Sequence, residues 1–459
     1  MAPRIEGMNF ASLTFWFSLI GAFTLLSLLR FLLRGVFVDR WAFIGLSLFL
    51  LGMESLETVA VFLWVVGVGY LGLKAHGRWS LVLVGCLLLV PLGYYKYSGF
   101  FEQVFLGREQ SLRLLIPMGL SFYTFQIFSF VIDSRREGLD RPRFLDFLNY
   151  ASFFPQIVAG PIERRSDLLP QVQNLSFGLK RKDLEDGLPW IVLGLFFKLV
   201  MAENFALLGD ELRSFSTNSL IVWFDALFFA FRIYFDFCGY SLIAFGLASC
   251  FGIKLTLNFR SPYLARNIQD FWRQWHVTLS RWFRDYVYFP LGGSRVRLWF
   301  VNVCIVFLLS GLWHGAGWGF LLWGLLHGVA VLVCALSKKK RLPYWSAWSL
   351  TMVFVTVSWI FFKENDWRIA CQKVEALAFL KGYHLNFSAI LACFEGPKTA
   401  LLAGFMAVLT VAVFVGEFFS QRKSAPYGLL LNRWVQLLLI AAICFFSPTR
   451  ESAFIYFNF

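Results

Sequence analysis

The sequence predicts an all-α integral membrane protein, and three features lead there. Hydrophobic residues make up 58% of the 459 and charged residues only 15%, against roughly 45–50% apolar in a soluble domain. Apolar runs such as Phe10 to Leu29 reach the roughly 20 residues that carry a helix across hydrocarbon. Between the runs, basic residues gather in short clusters, Ser134-Arg-Arg, Lys180-Arg-Lys and Lys338-Lys-Lys-Arg, the punctuation that holds loops on the cytoplasmic side beside anionic lipid. The basic residues behind the net charge of +14 sit in such short clusters between apolar runs, and nucleic-acid binding is discarded as its explanation.

In chain order, Phe10 to Leu29 is the first span. It is longer than the apolar core of an export signal, lacks a clear small-residue cleavage pattern and precedes Arg30, Arg34 and Arg40, so it is expected to be retained. Glu54 and Glu57 mark a loop or a break between two short helices, and Leu81 to Leu92 needs its flanks to cross. The long polar intervals are Glu163 to Gly187 and Lys363 to Lys398. Leu220 to Phe231 is apolar but holds Asp225, read as near a helix end. Arg232 and Asp236, four residues apart, share a helical face where they can neutralise each other. Phe300 to Leu312 is a further apolar run, short enough to need its flanks to cross. If Lys338 to Arg341 and Gln421-Arg-Lys are both cytoplasmic, Tyr344 to Phe362 crosses outward, Ala400 to Phe419 returns and Val435 to Phe446 crosses outward again. The last residues, SPTRESAFIYFNF, then lie on the far side of the membrane. Eight scattered cysteines without a CxxC pair read as packing residues rather than a disulfide frame or zinc site. No internal repeat is visible.

Histidine occurs five times in 459 residues, and GLWHGAGWGFLLWGLLHG (311–328) holds two, His314 and His327. On one unbroken helix they stand about 20 Å apart on separate faces and cannot share a metal ion. Glycines at 311, 315, 317 and 319 weaken the helix near His314. His327 is expected to be a hydrogen-bonded core residue. His314, between Trp313 and the glycine-dense turn, has the setting of a neutral imidazole that accepts a proton near neutral pH. In DFWRQWHVTLSRWFR (270–284) a helical wheel puts Asp270, Arg273, Arg281 and Arg284 on one side and Phe271, Trp275, Leu279 and Trp282 on the other. Periodicity alone gives an interfacial helix, with Val277 on the wrong face and His276 at the border, near Trp272 and Phe283, where it can look into a cavity. GxSxG, HExxH, P-loop and dinucleotide fingerprints are absent, so the expected chemistry is general-base catalysis in a membrane cavity, with no metal ligands.

Several stretches carry a resemblance. NFRSPYLARNIQDFWRQWHVTLSRWFRDYVYFPLGGSR (258–295), the run 311–328, IPMGLSFYTFQ (116–126), FFPQIVAGPI (153–162), IYFDFCGYS (233–241) and the tail FIYFNF resemble the membrane-bound O-acyltransferases, in particular the polysaccharide O-acetylation branch of the alginate and peptidoglycan type. The resemblance covers roughly residues 111–335 in the family's order. Leu242 stands where the pattern has aspartate after GYS, Asn458 where it often has glutamine, and residues 1–110 lack the expected opening.

The resemblance implies a ring of about eleven to twelve transmembrane and re-entrant helices around a thin centre with a tunnel. It divides the chain into divergent N-terminal segments (1–110), a catalytic core (111–335) and C-terminal spans with the tail (336–459). His314 maps onto the histidine essential to acyl transfer and His276 onto the second motif histidine, with Trp275, Trp313, Arg273, Arg281 and Arg284 expected to bind substrate. No bound cofactor is expected; acetyl-coenzyme A is the donor. The place is the bacterial cytoplasmic (inner) membrane. The partner is an extracytoplasmic SGNH-type acetyltransferase or acetyl-acceptor protein, through which a polysaccharide is modified. The tail has the FxYxxF form of acyl carriers, which makes Tyr456 the expected acyl relay; the alternative is an amphipathic anchor. Two rival functions stand: a D-alanyl transferase of the teichoic-acid type, and a glycan transporter or flippase with Arg232 and Asp236 on its pathway.

Overall fold

The computed structural model describes residues 9–33, 39–75, 77–107, 115–157, 160–212, 219–337, 342–364, 366–378, 387–391, 393–394, 396–422, 425–448 and 454–455. Among them the regular elements are helices, as lipid requires of a chain that must satisfy its own backbone polar groups. In order they are α1 (Leu13–Leu32), α2 (Asp39–Gly52), α3 (Leu56–Gly72), α4 (Arg78–Leu106), α5 (Leu120–Arg136), α6 (Phe144–Ser152), α7 (Arg165–Gln173), α8 (Arg181–Asp210), α9 (Ser219–Cys250), α10 (Ile268–Gln274), α11 (Val277–Phe283), α12 (Trp299–His314), α13 (Trp318–Leu336), α14 (Tyr344–Lys363), α15 (Trp367–Ala378), α16 (Pro397–Arg422) and α17 (Arg433–Phe446). Six of these, α1, α4, α8, α13, α14 and α16, are long and apolar enough to cross a membrane; α3, α12 and α17 are shorter apolar helices.

Residues 1–192 with 240–257 form one compact unit. Its helix starts follow ordinary capping chemistry: the Ser12 hydroxyl accepts the Phe15 N–H, and the Ser55 hydroxyl accepts the Thr58 N–H. Ser55 opens α3 with Glu57 in the first turn, so the break that Glu54 and Glu57 suggested is there. In α4, Pro91 is followed by a π turn at Gly93–Tyr97, because proline withholds an N–H and the ladder must re-register. The core of this unit gathers Phe43, Phe154, Phe177 and Phe251 edge to face, with Phe153 tilted against Phe43.

Residues 193–239 with 258–459 form the other unit, and its C-terminal helices alternate in direction. At one end Trp348 of α14 donates to the Tyr263 carbonyl at 2.8 Å, and Gln421 of α16 donates to the Arg260 carbonyl at 3.1 Å. At the other, Lys363 of α14 pairs with Asp225, Lys373 bridges Asp225 (2.7 Å) and Glu364 (2.6 Å), and Thr399 of α16 bonds Glu211. α17 runs back beside α16, with the Phe446 ring 4.7 Å from that of Phe405.

Asp236 corrects the expected ion pair. Its carboxylate meets Lys198 at 2.8 Å, not Arg232, and Lys198 also meets Glu203 at 2.6 Å. The reason is helix approach. A Cβ on Gly239 would stand 2.8 Å from the Gly194 carbonyl oxygen and 3.0 Å from the Lys198 nitrogen. α8 and α9 therefore nearly touch one turn from Asp236, and Lys198 fills the reach that sequence spacing had assigned to Arg232.

α12 and α13 form a hairpin closed by glycine. A Cβ on Gly311 would lie 2.2 Å from the Phe320 carbonyl oxygen, and one on Gly324 2.3 Å from that of Phe307, contacts that no rotamer relieves. Gly324→Leu is therefore expected to prise the hairpin open and lower the melting midpoint of the detergent-solubilised protein, over-packing costing about 1–3 kcal/mol. Gly404→Leu, where a Cβ meets open space, leaves the midpoint in place.

Candidate functional site

α12 ends at His314, the chain passes through extended Gly315 and Gly317, and α13 begins at Trp318. The glycine-dense stretch thus breaks the helix where the sequence suggested. His314 is 1% exposed. Its ring is edge to face with Trp323 (5.2 Å), Phe362 (5.3 Å) and its neighbour Trp313 (4.9 Å), the geometry in which ring edges meet π faces.

The expected single helix over 270–284 is two. α10 stops at Gln274, Trp275 is extended, and His276 takes a left-handed conformation (φ 42°, ψ 55°) before α11 starts. A non-glycine residue at positive φ is uncommon and strained, and such positions cluster at functional sites. Asn258 holds the turn: its carbonyl accepts the Val277 N–H at 3.0 Å, and its side-chain Oδ1 accepts the Thr278 N–H (3.0 Å) and hydroxyl (2.8 Å). The break explains Val277, which faced the wrong way on an unbroken wheel and is buried here. It also ends the interfacial reading, since Trp275 and His276 are both 0% exposed. Phe237 stands edge-on to the His276 ring at 4.7 Å, and Trp313 lies 5.8 Å away. Burial pushes the His276 imidazole down to about 3, so the ring is neutral at physiological pH.

Trp313 thus contacts both histidines. A second aromatic path runs Trp275, Trp359, Trp323, at 5.2 and 5.5 Å, from the neighbour of His276 to the indole against His314. The Trp275 and Trp323 Nε1 atoms are buried and find no hydrogen-bond partner among the described residues, leaving two indole donors in this layer.

The arginines separate. Arg273 and Arg284 line a cavity of about 460 Å³ with Trp272, Ser280, Tyr288 and Ser310, and Arg284 is bidentate to Asp285 at 2.7 and 3.1 Å. Ser310 lies one helical turn before His314. Arg281 is exposed and outside that lining, as are Trp275 and Trp313. Tyr456 lies outside the described residues.

His327 is the core residue the sequence suggested. An indole only donates, so the Trp272 Nε1–H at 3.2 Å makes His327 Nδ1 the acceptor. The proton then sits on Nε2, which donates to the Ser358 hydroxyl at 2.9 Å, and the Ser358 O–H donates in turn to the Val355 carbonyl at 2.8 Å. Sequence reasoning missed Lys198, although a lysine in the apolar run 190–202 stands out by insertion cost alone. It also missed Asn258, for which only a folded turn gives a signal.

The chain is similar to known proteins. Residues 120–365 match the model of MBOAT, the membrane-bound O-acyltransferase family. The chain is 33% identical to the peptidoglycan O-acetyltransferase of Helicobacter pylori, covering 84% of this chain and 83% of that one. It is 30% identical to a Pseudomonas putida protein named "Probable alginate O-acetylase AlgI", covering 86% and 87%. It is 28% identical to the teichoic acid D-alanyltransferase of Streptococcus thermophilus, over 61% of this chain and 70% of that one.

The His327 chain has a stability consequence. His327→Ala takes the acceptor from the part-buried Trp272 Nε1–H and the donor from the buried Ser358 hydroxyl, and leaving such a group unsatisfied costs about 1–3 kcal/mol. A lowered thermal midpoint in detergent, measured beside His327→Gln, is the expected result.

Proposed function

We propose that this chain, which belongs to the membrane-bound O-acyltransferase family and is an integral membrane acyltransferase, carries acetyl from cytoplasmic acetyl-coenzyme A across the bacterial inner membrane. The acetyl is destined for O-acetylation of an extracytoplasmic polysaccharide. The observation that carries the reading is the convergence of His276 and His314 on the Trp313 ring in a buried aromatic interior. Similarity to proteins named for peptidoglycan and alginate O-acetylation supports acetyl as the group moved.

In this mechanism an acceptor hydroxyl attacks the thioester carbonyl carbon while the His314 imidazole takes its proton. The C–S bond breaks, and the imidazolium returns the proton to the departing thiolate, so coenzyme A leaves as its thiol and the acceptor oxygen keeps the acetyl as an ester. His276 has the other role. A ring held neutral by burial is a poor proton acceptor but a sound hydrogen-bond donor, suited to polarise the carbonyl oxygen. Enclosure and proximity supply much of the rate. The Tyr456 hydroxyl is the acceptor in this reading, and an SGNH-type acetyltransferase outside the membrane takes the acetyl from it.

D-alanyl transfer is the second reading, favoured by the similarity to the teichoic acid enzyme. The mass of the C-terminal peptide after turnover separates the two: an added acetyl is expected, and an added alanyl assigns the second. His314→Ala is expected to lower transfer from labelled acetyl-coenzyme A at least a thousandfold in a folded protein. Transfer that survives removes His314 as the base.

A further inference from the structure

The Lys198, Glu203 and Asp236 cluster does more than join two helices. Its side chains are 0%, 3% and 2% exposed, and ionisable groups at such depth mark function more often than packing. The cluster is built by a local irregularity. α8 winds into a π turn at Phe196–Ala202, which carries Lys198 and delivers Glu203 and Asn204 directly after it. Clamping α8 to α9 needs one carboxylate oxygen on Lys198, which Asp236 Oδ1 provides at 2.8 Å. Oδ2 of the same carboxylate has a different use: it accepts the backbone N–H of Ile455 at 2.7 Å.

Ile455 belongs to the C-terminal tail, and the tail is held at more than this point. Phe454 and Ile455 are 0% and 3% exposed. The Phe454 ring lies 5.8 Å from Phe237, the residue after Asp236, and Phe237 is the ring set edge-on against His276. Where the tail departs, Asn204 donates from Nδ2 to the Phe446 carbonyl at 2.9 Å. The residues that bind α17's end and the tail thus come from the π turn's exit and from the α9 turn it faces. An interfacial anchor has no use for such an arrangement, since its apolar side chains would lie at the headgroups rather than beside an intramembrane carboxylate.

We propose that the Lys198–Asp236 pair is the anchor of the C-terminal tail, with Asp236 a positioning residue that fixes the depth of the tail beside His276. Lys198 orients the carboxylate through Oδ1, Oδ2 takes the Ile455 N–H, and Phe237 seats Phe454. Tyr456 is the next residue in the chain. The consequence for catalysis rests on the Tyr456 relay proposed above; the anchoring itself does not.

The test uses the full chain in detergent or nanodiscs. Ile455→Pro deletes the donated N–H and leaves every buried charge in place; Asp236→Leu removes the acceptor, and Asp236→Asn keeps an oxygen for it. Carboxypeptidase trimming of the C-terminus, followed by mass spectrometry, reads tail release. Ile455→Pro and Asp236→Leu are expected to be trimmed at least tenfold faster than the parent. Their kcat for acetyl transfer is expected to fall at least tenfold, with KM for acetyl-coenzyme A within twofold, and Asp236→Asn recovers much of both. Trimming of Ile455→Pro within twofold of the parent, in protein with an unchanged melting midpoint, overturns the anchor. Released tail with undiminished transfer keeps the anchor and overturns the Tyr456 relay.

Discussion

Hydrocarbon offers a buried polar group no hydrogen bond, so the buried polar side chains that order this protein are those met by another group that the fold carries to them. That constraint explains the pairings described above better than any local preference does. His327 is satisfied from two helices at once, by Trp272 and Ser358. Lys198 is met by carboxylates from its own rod and from α9. Asn258 spends its oxygens on the turn that contains His276. In each case the contact is long-range or depends on a helix break, and in each it fixes the relative position of elements that apolar packing alone would leave free to slide.

Close approach makes those pairings possible. Gly311 and Gly324 let two backbones come within a distance that any side chain would forbid, as small residues do where lipid supplies no hydrophobic drive for helices to associate. Gly239 does the same for α8 and α9. Aromatic rings then fill what lies between, and the indoles of Trp275, Trp359 and Trp323 follow one another, the first pair tilted and the second stacked. Reacting groups set in such a layer face ring edges and faces rather than water, which strengthens the few electrostatic interactions that remain.

The membrane class, the helical content and the helix break after His314 were legible in the sequence, because composition, run length and glycine spacing are local signals. His327 was readable as a core residue for the same reason. The pairing of Asp236 was not: i to i+4 spacing nominates Arg232, and only the approach of α8 exposes Lys198 as the nearer partner. The continuous wheel over 270–284 failed at one residue. A left-handed His276 has no local signature, since its stability comes from Asn258, which lies in a different segment and meets the turn only in the folded chain. The arginines of that wheel look equivalent in sequence, yet two line a cavity and Arg281 does not, a distinction made by the same break.

The second unit is fastened differently at its two ends. Near Lys363 the joints are ionic, Asp225 and Glu364 against two lysines, with side chains 10–32% exposed. Near Tyr263 they are neutral, an indole and an amide on backbone carbonyls. Dissolved ions weaken partly wetted charge pairs and leave neutral donors almost untouched. Rising ionic strength therefore loosens one pole of this helix bundle while the opposite pole stays shut, giving the unit a built-in mechanical polarity along its helix axes.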